Sequence, residues 1–172
     1  MAVSNIPKKK QLTEKMGMEI TVQDLQKKIK INPRQIKKIA QTILKTLKIT
    51  QATLSLVFVS SQKIRALNRK YLNRTYATDV LAFDLRDEFA SKQSAKKNIS
   101  GDVFISTDAV LQNSKAFGQE AHDELALYVI HGILHLAGYD DTNPTAKKKM
   151  QKKEQEIFSP LLYRLRASLI QK

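Results

Sequence analysis

The stretch H-G-I-L-H-L-A-G-Y-D-D, His131–Asp141, decides how this chain is read. Two histidines four residues apart share one face of a helix, so both imidazoles can reach a single ion. Gly138 is the residue type that ends a helix and lets the chain turn back. Asp141 follows that turn and can return toward the histidines. The spacing H-x3-H-x2-G-x2-D is thus a three-ligand motif, with His131, His135 and Asp141 as the expected metal ligands. Three protein ligands leave a coordination position open, as catalytic zinc sites do. The chain has 0 Cys, so thiolate ligation is excluded and histidine with carboxylate must hold any ion. One Zn²⁺ per chain is the expected cofactor. The competing account is a buried, neutral, hydrogen-bonded histidine pair in an apolar helix.

Neighbouring positions refine the chemistry. In H-E-x-x-H peptidases the residue after the first histidine is the general base, and here it is Gly132. Glu124 precedes His131 by two helical turns and shares its face. It is a candidate to orient a ligand, or else an acid favoured by the helix N-terminus. His122 falls on another side of the helix and is left out of the site.

Outward from the motif, the helix spans roughly 120–137 and a last, lysine-rich helix starts at Asn143-Pro144. Upstream, Met18–Gln23, Ala52–Ser60, Asp79–Leu85 and Gly101–Ser106 read as strands. Asn32-Pro33 opens a helix, Ser61 is expected to cap a short one, and Thr107–Phe117 forms another before Gly118. Arg86–Ser100 reads as a long loop. The expected fold is a small α+β domain, one mixed sheet of about four strands packed with about five helices, without βαβ-repeat regularity. Residues 1–17 are expected to be a basic, flexible N-terminal tail, and 18–172 a single metal-dependent hydrolase domain.

The 172 residues carry 30 Lys+Arg against 16 Asp+Glu, a formal charge of +14. Such an excess points to an anionic partner, nucleic acid first. The longest apolar stretch, Leu125–Gly138, is too short to span a bilayer, and no signal peptide is seen, so a soluble, cytoplasmic protein is expected. Lys147, Lys148, Lys149, Lys152, Lys153 and Arg65 flank the motif elements in the chain and are the expected RNA contacts. Taken alone, each run also suits a solvated helix face. With 5 Tyr, 6 Phe and 0 Trp, stacking platforms are sparse, and Tyr71, Tyr76 and Tyr139 are the candidates.

HGILHLAGYDD resembles the signature H-G-x-L-H-L-x-G-Y-D-H of the YbeY family of rRNA maturation factors. Leu67–Tyr71 (LNRKY), Thr78–Phe83 (TDVLAF) and Gly101–Ser106 (GDVFIS) resemble further family segments in the same order. The resemblance implies a zinc-dependent, single-strand-specific endoribonuclease of ribosome biogenesis. Its implied partners are rRNA and the ribosome, not DNA or a membrane. The family's third ligand histidine falls on Asp141, which still coordinates. Its arginine falls on Leu72, which cannot stabilise phosphate charge, and Arg69 or Arg74 is the candidate to fill that space. Water or the RNA 2′-hydroxyl is left open as nucleophile. The alternatives are a metallopeptidase, opposed by Gly132, and a non-catalytic ribosome-associated RNA binder with a structural metal.

Overall fold

The computed structural model describes residues 17–73, 75, 78–86 and 97–170, apart from the side chains of 167–170. Among them the chain order is β1 (Met18–Asp24), α1 (Pro33–Thr46), β2 (Gln51–Val59), α2 (Ser61–Leu72), β3 (Val80–Asp84), β4 (Asn98–Ser106), α3 (Thr107–Phe117), α4 (Ala121–Leu136) and α5 (Pro144–Ile170). The four strands make one mixed sheet in the order β1-β2-β4-β3. β1 and β4 run parallel to β2, and β3 is antiparallel to β4 at the edge. The expected fold class is the one observed.

Period-two alternation in the central strands sorts the apolar residues into two layers. Ala52, Leu54, Leu56 and Phe58 of β2, with Ile99, Val103 and Ile105 of β4, join the main core under α1 and α4. Val57 and Val59, with Leu81, Phe83 and Phe104, face the other way against Ile64 and Leu67 of α2. Burying each such side chain is worth about 1.5–3 kcal/mol.

Local signals explain the element ends. The Asn32 side chain accepts from the backbone N–H groups of Arg34 and Gln35, with Pro33 in the first turn. α2 is capped by Ser60 rather than Ser61: the Ser60 hydroxyl accepts from Lys63 N, and Ser61 is already helical. β4 begins three residues earlier than the sequence suggested, because Asn98–Ser100 continue the parallel ladder with Gln51–Thr53. Pairing along β2 overrides the polar local sequence there. The parallel β1–β2 pair bridged by α1 is also a βαβ crossover, which the apolar pattern had not announced. The basic tail, Arg74, Tyr76 and residues 87–96 of the expected loop lie outside the described residues.

α4 runs through the centre. It packs on β3 and β4 and against α1, α3 and α5, and ten of its residues are buried. Such a helix is apolar on nearly every side. Past its first turn, the half-buried His131 and His135 stand where its packing opens onto a cleft.

Candidate metal centre

α4 presents His131 and His135 one turn apart, with their Nε2 atoms 3.0 Å from each other. Asp141 Oδ2 lies 3.9 Å from His131 Nε2, and Asp141 Oδ1 lies 4.0 Å from His135 Nε2. Ligand atoms around a tetrahedral zinc are roughly 3.3 Å apart, so the triangle has the size such an ion requires.

The turn after α4 fixes His135. Gly138 takes a positive φ of 89°. Its N–H donates to His135 O, and Tyr139 N–H donates to Leu134 O, the double closure that satisfies the last carbonyls of a helix. The Tyr139 carbonyl thereby comes 3.2 Å from His135 Nδ1, which must donate to it. The adjacent acids divide their work. Asp140 Oδ1 accepts from the backbone N–H groups of Asp141 and Thr142, while Asp141 faces the histidines. The Thr142 hydroxyl bonded to Asp140 holds that carboxyl below its usual range.

Glu154 fixes His131. Its Oε1 lies 2.6 Å from His131 Nδ1, and the carboxylate is mostly shielded from solvent. With both Nδ1 protons committed to oxygen acceptors, both Nε2 atoms present lone pairs to the same point. Burial, then the neighbouring His131, pushes the His135 pKa down, which keeps that imidazole neutral. Two facing lone pairs beside a carboxylate fit a cation between them.

These residues open onto a cleft of about 660 Å³ along the β3 edge. Asp79, Asp84, Asp140, Asp141 and Glu154 line it, and Lys147 is the one lysine or arginine of the described lining. The molecule's positive charge is therefore not gathered at the described walls. A second structural tie comes from Arg86. Its guanidinium donates to Leu136 O at 2.8 Å and Asn98 O at 3.0 Å, and pairs with Asp84. It ties the C-terminal end of α4, beside His135, to the base of the β3–β4 connection. The Arg86 guanidinium in turn lowers the Asp84 pKa.

The remaining sequence candidates scatter. Glu124 is buried in the first turn of α4 and outside the cleft lining; burial, then the Asp79 charge, raises its pKa. Arg65 and Arg69 are exposed on α2 and do not line the cleft. Leu72, in the position where the resemblance expects an arginine, is 43% exposed. Lys148, Lys149 and Lys152 line a separate groove on α5, with Lys149 Nζ 6.0 Å from the Tyr139 ring centre. Lys153 pairs with Glu156 at 2.9 Å. Glu154 was not singled out in the sequence. Its only signal there is an acid inside a lysine run, 23 residues from the histidine it serves.

Among the described residues no helix is long and apolar enough to cross a membrane. The family model described as Endoribonuclease YbeY matches residues 21–162. The Endoribonuclease YbeY of Syntrophus aciditrophicus (strain SB) is 38% identical over 152 residues, covering 87% of this chain and 93% of the relative. That of Salinibacter ruber is 38% identical over 110 residues, covering 63% and 70% respectively. Among solved structures, the solution structure of TM1509 from Thermotoga maritima superposes with a TM-score of 0.61 at 27% identity, covering 87% of this chain and 93% of that one. With the matched region containing the sheet, α4 and the three-residue cluster alike, the chain belongs to the YbeY endoribonuclease family.

Proposed function

We propose that this protein is a zinc-dependent endoribonuclease that cuts single-stranded RNA and acts in rRNA processing at the ribosome. The carrying observation is the convergence of two histidine lone pairs and the Asp141 carboxylate in an open cleft, in a chain whose relatives are endoribonucleases. His131, His135 and Asp141 would hold the ion. When bound, it would supply Lewis-acid polarisation of a phosphoryl oxygen. Glu154 and the Tyr139 carbonyl hold the two imidazoles in the tautomer that binds. Lys147, on the cleft wall, is suited to a phosphate of the bound strand. Arg69, Arg65 and the α5 lysines extend the basic surface beyond the cleft, and a basic surface of this kind steers RNA rather than peptides.

A peptidase reading is disfavoured by position 132. A Cβ built there would lie 2.3 Å from Val103 Cγ1, so this side of the helix is pressed on the sheet and has no room for a glutamate base. The non-catalytic RNA binder keeps one supporting observation, the leucine at position 72.

The test combines metal analysis with cleavage of single-stranded RNA and of a casein-derived peptide, each with and without chelator. Stoichiometric zinc and RNA cleavage lost with chelator and with His131→Ala support the proposal. Bound zinc with no cleavage of either substrate would overturn the enzyme reading. Product ends identify the nucleophile, since attack by the 2′-hydroxyl leaves a 2′,3′-cyclic phosphate and attack by water does not. Cleavage of precursor rRNA and co-sedimentation with ribosomes test the setting.

A further inference from the structure

Three of the few aromatic residues are gathered at one place. Tyr71, 58% exposed at the end of α2, meets Phe83 of β3 edge-on at 5.5 Å, and Phe83 meets Phe104 of β4 at 5.9 Å. Phe83 and Phe104 are partly buried against α2, so they support the outer ring and hold its orientation. Lys70 Nζ stands 5.0 Å from the Tyr71 ring centre. Arg65 and Arg69 are exposed on the same helix. An exposed, well-supported ring with a lysine beside it is suited to a partner that is both flat and anionic.

Its position relates it to the cleft. On α2, Asn68 lies one turn before Tyr71 and lines the cleft. On β3, the residues on either side of Phe83, Ala82 and Asp84, line it as well. Strand alternation turns Phe83, and Tyr71 with it, to the opposite side of β3 from Ala82 and Asp84, so a strand leaving the cleft would cross the β3 edge to reach the ring.

We propose that Tyr71, backed by Phe83, is a stacking platform for a base flanking the scissile phosphate of single-stranded RNA, with Lys70 beside the ring and Arg65 and Arg69, farther round α2, extending the path of the backbone. This rests on the ribonuclease reading above. Stacking on one ring requires an unpaired base, because bases within a duplex already stack on each other, and it tolerates any base because each has a π face. The platform is therefore a source of preference for single strands without sequence specificity, a selection the metal cluster has no means to make.

The chain has 0 Trp, so Tyr71→Trp in the full-length protein places a lone reporter on the platform. In a Tyr71→Trp, His131→Ala protein, single-stranded oligouridylate and oligoadenylate should both quench its emission, and a blunt RNA duplex should not. In the otherwise native enzyme, Tyr71→Ala should raise KM for single-stranded RNA by roughly tenfold, leave kcat near its original value and leave the salt dependence unchanged. Arg69→Ala should instead flatten the salt dependence. Quenching by duplex equal to that by single strands, or an unchanged KM in Tyr71→Ala, overturns the platform. An unmutated protein that neither binds nor cuts RNA overturns the ribonuclease reading itself, so the two failures are distinguishable.

Discussion

Glu154 Oε1 stands 2.6 Å from His131 Nδ1, across the interface between α5 and α4. The contact joins a lysine-rich helix to the histidine cluster, and it gives that helix a positioning role which its charge alone did not suggest. It also fixes which nitrogen of His131 faces the cleft, since a carboxylate accepts only from a protonated Nδ1.

Glu154→Ala should weaken Zn²⁺ binding by about 10–100-fold, as loss of a partner behind a ligating histidine commonly does. Glu154→Gln keeps a carbonyl acceptor and should lose less. Chelator competition with each variant measures both, and equal affinities for all three proteins would remove Glu154 from the site.

His131→Ala or His135→Ala should each abolish stoichiometric zinc, because two ligands on one side do not enclose the ion. Asp141→Ala should weaken binding while Asp141→His should retain it, since either side chain offers a ligand at this place in the turn. Elemental analysis after dialysis reads the outcome. Zinc held equally by Asp141→Ala and the native protein would show that Asp141 is not a ligand.

Arg86→Ala should cost about 2 kcal/mol of stability, since the Leu136 and Asn98 carbonyls lose a charged donor in a part-buried place. Denaturant unfolding measures it. Because Leu136 adjoins His135, zinc affinity should fall in the same variant.

Gly132→Ala should destabilise by about 1–3 kcal/mol, although alanine is the better helix former. The new methyl would meet Val103 Cγ1 at 2.3 Å and Val80 Cγ1 at 3.2 Å, both on stiff β-branched side chains. A thermal midpoint equal to or above that of the native chain would contradict the packing described.

Glu124 contributes to stability with a definite sign. Its folded pKa is raised, mainly by burial, so between the unfolded and folded values the native state holds more protons than the unfolded chain. Stability from this group is then greatest below the unfolded value and falls as pH rises through the folded one. Glu124→Gln should remove that slope and raise the melting temperature near neutrality. Melting curves from about pH 4 to about pH 7 test it against the native chain.

Much of this arrangement is written locally. The i, i+4 histidines, the glycine turn and the returning aspartate lie within eleven consecutive residues, so helix geometry and one αL residue suffice to assemble the cluster. The helix starts at Pro33 and Pro144 are equally local, because each cap is made by the asparagine just before it. The strand order, and the use of Asn98–Ser100 in β4, came from pairing with β2, whose partner is 47 positions away.

By itself, the sequence determined the metal ligands as candidates, the α+β class and the excess of positive charge. Each depends on neighbours in the chain or on composition. Only the tertiary structure decided which groups hold those ligands and what charge the cleft carries. Glu154 and Lys147 come to the cleft from α5, and Arg86 braces the end of α4 from beyond β3, while most of the lysines that adjoin the motif in sequence turn outward along α5. A helix directs residues a few positions apart to different faces. Packing of α4 against its neighbours then selects which face meets the site, and charge counted along the chain carries no record of that choice.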